Sequence, residues 1–216
     1  MGKRVNYEDL IIDLYLFNKL EREGANMSTA KYLFLLEENL YDKKIIGPHY
    51  KMIKHKMGPY NLKIATNIKN LSLNGYLDSR AQYYDKVSKD VNIYSKNQNT
   101  VKFLKSIDDL IQEYSPIFNC LDEIIEEFGS LNAEELKDYI YSLPRAGKDK
   151  KKIEDYRMYE TIIDPLEIKN PRLSFFLDED WYDTVEVLLN PQILSGLGKG
   201  IEDAKKGRFV FTKKMF

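Results

Sequence analysis

Two long apolar runs near the start of the sequence narrow the fold more than any other feature. In YEDLIIDLYLFNKLERE, Leu10, Ile11, Leu14, Phe17 and Leu20 recur at the spacing of one helix face. In AKYLFLLEENLYDKK, the stretch from Tyr32 to Leu36 is so apolar that it predicts a helix set centrally in a core. Gly24 and Asn26 are placed to end the first helix, and Ser28 or Thr29 to cap the second. Two such helices need further apolar elements to cover them, which commits the chain to a folded body. The 216 residues, 43% hydrophobic and 31% charged, are enough for one substantial domain or a domain with an appendage. No run of eighteen apolar residues exists, and MGKRVNYEDL lacks the apolar stretch of a signal peptide. The expected location is therefore the cytoplasm, with no membrane partner. Cys120 is the only cysteine, which excludes an internal disulfide; it follows Phe118 on an apolar face and reads as a structural thiol.

Beyond the second helix, IIGPHYKMIKHKMGPY is punctuated by Gly47-Pro48 and Gly58-Pro59 and shows no clear period: short strand, helical turn or loop. The GPY turn reads as structural, with Tyr60 packing against the Tyr32–Leu36 helix. Then NLKIATNIKNLSLNGYL offers Asn61 as an N-cap, Ile64, Ala65, Ile68 and Leu71 as an inner face, and Asn74-Gly75 as a left-handed stop. A hairpin around Tyr83 to Ile93 follows, an order that permits a winged-helix arrangement. After residue 98 the pattern is helical again in three segments, with Pro116 breaking or kinking the run and Pro144 ending it. Thr100 is expected to cap the first of these and Asn132 the third. The fold class expected is mainly α. A helical domain over residues 1–148 holds a winged-helix-like part, and an extension over 149–216 carries an extended helical arm.

The net charge of -1 hides an uneven distribution. From Lys43 to Lys69 there are seven lysines and no acid; from Val101 to Tyr141 there are ten acids against three lysines. A basic face of this kind meets nucleic acid, an acidic protein or plain solvent. Lys51, Lys54, Lys56 and Lys63 are the candidate phosphate contacts. His49 and His55 match no local zinc motif, and there is no second cysteine, so no metal is expected. The acids Asp178, Glu179, Asp180 and Asp183 read as the capped start of a helix rather than as ion ligands. SGLGKG lacks the spacing of a phosphate loop. No catalytic constellation and no cofactor motif emerges, so the chain is not read as an enzyme.

Two stretches carry a resemblance. AKYLFLLEENLYDKK followed by HKMGPYNLKIATNIKNLSLNGYL resembles the SocA-like antitoxin family known as Panacea, whose members are also described as phage-associated proteins. Lys31, Gly58, Pro59, Tyr60, Leu71, Gly75 and Tyr76 are the matching positions, within residues 8 to 143. The resemblance implies a small, mainly helical protein that neutralises a toxin encoded beside it. Nearer the C-terminus, NPQILSGLGKGIEDAKKGRFV is similar to the toxin-binding tail of small antitoxins, through Asn190, Pro191, Ile193, Leu197, Ile201, Ala204, Gly207 and Phe209.

The residues of that tail support a partner-binding reading on physical grounds. Ile193, Leu197, Ile201 and Ala204 form an i, i+4, i+8, i+11 stripe. Gly207 can end the helix, and Arg208, Phe209 and Phe211 would then add an edge strand or fill a groove on another chain. The alternative is a closing helix docked on its own domain. Two functions follow: a toxin-neutralising protein acting by direct binding to a co-encoded toxin, and a winged-helix DNA-binding regulator, acting as a homodimer on duplex DNA. One chain can do both by repressing its own operon.

Overall fold

A computed structural model describes residues 6–21, 23–84 and 88–208. It divides into two units, residues 1–176 and 177–216.

The first unit is built around the two apolar helices. Helix α1 (Tyr7–Lys19) is capped by Asn6, whose side chain accepts from the Asp9 N–H. It buries Ile11, Ile12, Leu14, Leu16 and Phe17. The chain then makes a two-residue strand, β1 (Gly24–Ala25), and enters α2 (Asn26–Lys43). Ser28 Oγ accepts from the Ala25 N–H at 3.1 Å and donates to the Ala25 carbonyl at 2.9 Å, which fastens the first turn. The run from Tyr32 to Leu36 is buried throughout, so α2 is central, as its composition predicts.

Residues 44–61 form short strands: β2 (Ile45–Ile46), β3 (Met52–His55) and β4 (Gly58–Tyr60). The GPY residues are therefore a strand, antiparallel to β3, and Tyr60 is only half-buried. Asn61 caps α3 (Leu62–Leu73) by accepting from the Lys63 N–H at 2.8 Å. The helix stops at Gly75, whose φ of 79° is open to glycine at little cost. The Tyr76 N–H reaches back to the Leu71 carbonyl and the Gly75 N–H to that of Ser72, the paired bonds of a Schellman stop. Strands β5 (Leu77–Tyr84) and β6 (Lys89–Lys96) pair antiparallel from Leu77↔Lys96 to Tyr84↔Lys89, and β1 lies on the other side of β6. Helix, strand, helix, helix and hairpin thus follow in this order, with the short strands β2, β3 and β4 lying between the second and third helices.

Helices α4 (Gln98–Ser106), α5 (Asp108–Glu113), α6 (Ser115–Phe128) and α7 (Ala133–Ser142) complete the helical part. Asn97, not Thr100, caps α4, and Thr100 closes the reciprocal half of the box. Asn132 caps α7, and Glu135 returns the bond by accepting from the Asn132 N–H at 2.7 Å. The run breaks at Tyr114, just before Pro116, which sits in the first turn of α6, where a proline loses no intrahelical hydrogen bond. Cys120 lies buried on α6.

Two expectations are corrected here. The fold is mixed α and β rather than mainly α: beside the helices, eight strands form three small sheets in the orders β1-β6-β5, β2-β8 and β4-β3-β7 among the described residues. Strand β7 (Thr161–Ile163) pairs with β3, and β8 (Leu173–Ser174) runs parallel to β2. The same pairings move the domain division. Residues 149–176 are not part of an extension, because β7 and β8 complete sheets begun more than a hundred residues earlier. The boundary falls between Phe176 and Leu177. Gly147 helps seat this return: its N–H donates to Glu38 at 2.7 Å, and its φ of 71° places the backbone where an added Cβ would meet the Ile162 carbonyl at 2.6 Å.

The second unit holds α8 (Glu179–Leu188) and α9 (Pro191–Lys205). Asp178 caps α8, accepting from the Trp181 N–H at 2.8 Å, which is the capping role read from the acidic cluster. No helix among the described residues is long and apolar enough to cross a membrane.

Candidate functional site

Helix α9 is formed by strong local signals. Asn190 accepts from the N–H groups of Gln192 and Ile193, Pro191 sits in the first turn, and Gly207, at φ 67°, ends the helix. The Arg208 N–H bonds the Asp203 carbonyl at 2.8 Å and the Gly207 N–H that of Ala204 at 3.0 Å, so the carbonyls of the last turn are satisfied. Within its unit the helix meets α8 but buries none of its residues. Ile193, Leu194, Leu197 and Ile201 are between 38% and 57% exposed, an apolar stripe open to solvent. Ala204 is exposed on the same face, within a sector of about 100° given the helical turn angle. Leu194 widens the stripe that i, i+4 spacing alone defines. Gly196, Gly198 and Gly200 face open space. Lys206 pairs with Glu202 one turn earlier, and Arg208 with Asp203 at 3.1 Å. Phe209 and Phe211 lie outside the described residues.

The other candidate surface is α3. Ile64, Ile68 and Leu71 are buried, so the helix turns Leu62, Lys63, Thr66, Lys69, Asn70 and Leu73 outward. Leu62 and Leu73 are about three-quarters exposed, at 75% and 74%. The four candidate lysines do not share this surface. Lys63 is on α3 and exposed; Lys56 is exposed in the β3–β4 turn; Lys51 is exposed but paired with Asp164 at 3.2 Å. Lys54 is buried: its ammonium lies 4.2 Å from the centre of the Tyr141 ring and donates to the Tyr141 hydroxyl at 2.8 Å. It cannot meet a phosphate, because β3 alternates and turns Met52 and Lys54 inward. Lys69 and Asn70 are better placed than Lys54, and their spacing from Lys63 and Thr66 was there to be read.

A buried polar network holds α3 in place. The Tyr50 hydroxyl donates to Asp13 at 2.6 Å and accepts from Asn67 of α3 at 2.8 Å, while the Tyr50 N–H donates to Glu37 at 3.1 Å. The His49 N–H donates to Asp9 at 2.6 Å, Asn6 bonds the His49 ring at 2.7 Å, and that ring stacks on Phe176. Asp9, Asp13 and Glu37 are all buried, and one oxygen of each has no hydrogen-bond partner. Burial pushes the Asp9 carboxyl up to about 7, and raises Asp13 and Glu37 well above the carboxylate range. These three therefore hold protons where ordinary carboxyls have lost them. The sequence carried a sign of this, since Asp9 and Asp13 interrupt an apolar helix face one turn apart.

Among the described residues, no set of three His, Cys, Asp or Glu side chains is arranged to hold a metal ion. No protein-family model, curated protein or solved structure matches the chain.

Proposed function

We propose that the chain is a toxin-neutralising protein that acts by direct binding to a toxin encoded beside it, without a catalytic step. The observation that carries this reading is α9, a well-capped fifteen-residue helix that buries no residue and displays four large apolar side chains on one face. A helix of this kind gains its stability from a surface that covers the stripe. Its three internal glycines each weaken it by roughly 1 kcal/mol relative to alanine, which suits a segment completed on binding. Covering Ile193, Leu197 and Ile201 would contribute several kcal/mol, at about 1.5–3 kcal/mol for each fully buried side chain before ordering costs. The occupant of the partner's groove is the helix, in the manner of an amphipathic anchor. The test is co-expression with the neighbouring gene. Deleting residues 190–216 should leave a folded body by circular dichroism and abolish both co-purification and protection of growth. Protection that survives the deletion would move the activity to the first unit.

A second reading, DNA binding, rests on a different observation: the winged-helix order of α1, β1, α2, α3, β5 and β6, with α3 presenting Lys63, Thr66, Lys69 and Asn70 outward. It adds repression of the chain's own operon to neutralisation. Electrophoretic mobility shift on the upstream region, for the intact chain and a Lys63→Ala/Lys69→Ala variant, tests it. Equal retardation by both would remove α3 from the reading.

A further inference from the structure

Between the start of α2 and the β3–β4 hairpin lies a cavity of about 220 Å³, lined by Met27, Lys31, His55, Met57, Pro59 and Tyr60, with Gly58 at its edge. Most of this wall is apolar or aromatic. Its one ammonium, that of Lys31, belongs to a side chain only 2% exposed. Among the described residues Lys31 Nζ makes a single hydrogen bond, to the Met27 carbonyl at 3.1 Å, and no carboxylate pairs with it. An ammonium can donate three hydrogen bonds, so a lysine buried with one neutral acceptor is an expensive arrangement.

The surroundings deepen the imbalance. Lys54 and Lys137 both lie over the Tyr141 ring, at 4.2 and 5.7 Å from its centre. That ring abuts the GPY strand, since a Cβ added at Gly58 would meet its Cε2 at 3.6 Å. His55 packs against the rings of Tyr60 and Tyr159. Among the described residues no acid forms an ion pair with Lys31, Lys54, His55 or Lys137. Elsewhere in this unit lysines find carboxylates readily: Lys150 pairs with Glu38 and Asp42, and Lys151 with Glu160. The α2 helix begins beside the cavity and carries no acid in its first turn, so its positive end goes uncompensated there. Burial lowers the Lys31 ammonium to about 8, with repulsion from Lys137 acting in the same sense, so near neutral pH it keeps most of its charge. Lys31, Gly58, Pro59 and Tyr60 are also four of the positions that carry the resemblance read from the sequence; distant in sequence, they meet at this one cavity.

We propose that this cavity binds a small organic anion, a carboxylate or phosphate monoester with an apolar body, with Lys31 at the charge and Met27, Met57 and Pro59 against the body. The volume, below the roughly 300–1,000 Å³ of drug-sized sites, admits a group of roughly the size of one substituted aromatic ring. Anion binding answers the two unused donor positions of Lys31 and offsets the clustered positive charge. None of the lining residues belongs to α9 or to α3, and the proposal does not depend on either functional reading.

Nuclear magnetic resonance of the full chain with labelled lysine and methionine methylenes and methyls tests this directly. The probes are benzoate, phenyl phosphate, inorganic phosphate and, as a neutral comparison, benzyl alcohol. Benzoate or phenyl phosphate should move the Lys31 ε-methylene and the Met27 and Met57 methyl signals saturably; the tighter of the two identifies the headgroup. Benzyl alcohol should bind at least tenfold more weakly. Lys31→Met, an apolar replacement of similar length, should cut anion affinity at least tenfold. Met57→Trp, which fills the cavity from its partly exposed edge, should abolish binding with Lys31 intact, and serves if Lys31→Met does not fold. No saturable shift with either anion, or undiminished binding by the variants, overturns the proposal. Inorganic phosphate binding as tightly as phenyl phosphate overturns the apolar half of it.

Discussion

The Tyr50 hydroxyl donates to the Asp13 carboxyl at 2.6 Å inside the core, and the same oxygen accepts from Asn67 on α3. One fully buried phenol therefore joins α1 to the outward-facing helix. Tyr50→Phe keeps the ring and removes the joint, leaving Asn67 and Asp13 each short of a partner. The expected loss is about 1–3 kcal/mol of unfolding free energy by urea titration. Lost protection of the α3 amides in hydrogen exchange should accompany it.

The raised carboxyls make stability depend on pH in an unusual direction. Asp9, held up to about 7 by burial, is protonated in the folded chain where the unfolded chain has already ionised it. Its contribution is fully present below about 4, the ordinary carboxylate value, and is lost as pH rises through about 7. Asp13 and Glu37 act in the same sense. His49, lowered by burial, acts oppositely, its contribution falling away as pH drops below about 6.5. Asp9→Asn removes one of the carboxyl terms. Between pH 5 and pH 8 the variant should lose about 2–3 kcal/mol less stability than the parent, measured by denaturant unfolding at both values.

The helical skeleton was legible in the sequence because its signals are local. The stripe of α1, the all-round apolar run of α2, the caps at Asn61 and Asn132 and the glycine stops at Gly75 and Gly207 each rest on residues within a few positions. The small sheets were not legible for the opposite reason. Strands β2, β7 and β8 are two or three residues long, too short to display a period of two, and their partners are far away in sequence. Ile45 gives no sign that it pairs with Leu173, nor Ile53 with Thr161. That gap misplaced the domain boundary and hid the inward turn of Lys54. At α9 the stripe could be read from spacing; that the helix buries no residue could not.

Lys54 supplies a direct check on which lysines face solvent. Buried over Tyr141, it should contribute nothing to the salt dependence of duplex DNA binding. Each exposed lysine that does touch a phosphate steepens the slope of log affinity against log salt by about 0.9. Fluorescence anisotropy at a series of salt concentrations should give the parent slope for Lys54→Met and a shallower one for Lys63→Ala/Lys69→Ala.

The glycines of α9 offer a test of the helix itself. Gly196, Gly198 and Gly200 have helical backbones and open space around them, so alanine fits at each. Substituting all three should stabilise the helix by roughly 0.8–1 kcal/mol per position. Circular dichroism should then show greater helix content with the rest of the unfolding profile unchanged. A loss of helix would mean that the segment is not helical in the free chain.

The most direct measurement of the central claim is the affinity of the purified chain for the product of the neighbouring gene, by calorimetry, with and without Leu197→Asp. Leu197 is half exposed, at 50%, and lies mid-stripe, so the substitution leaves the fold alone and places a charge where the groove should close. The account predicts tight binding by the parent and at least a hundredfold weakening by the variant, with equal melting temperatures for the two free chains. Equal affinity for both, or no binding by the parent, would contradict it.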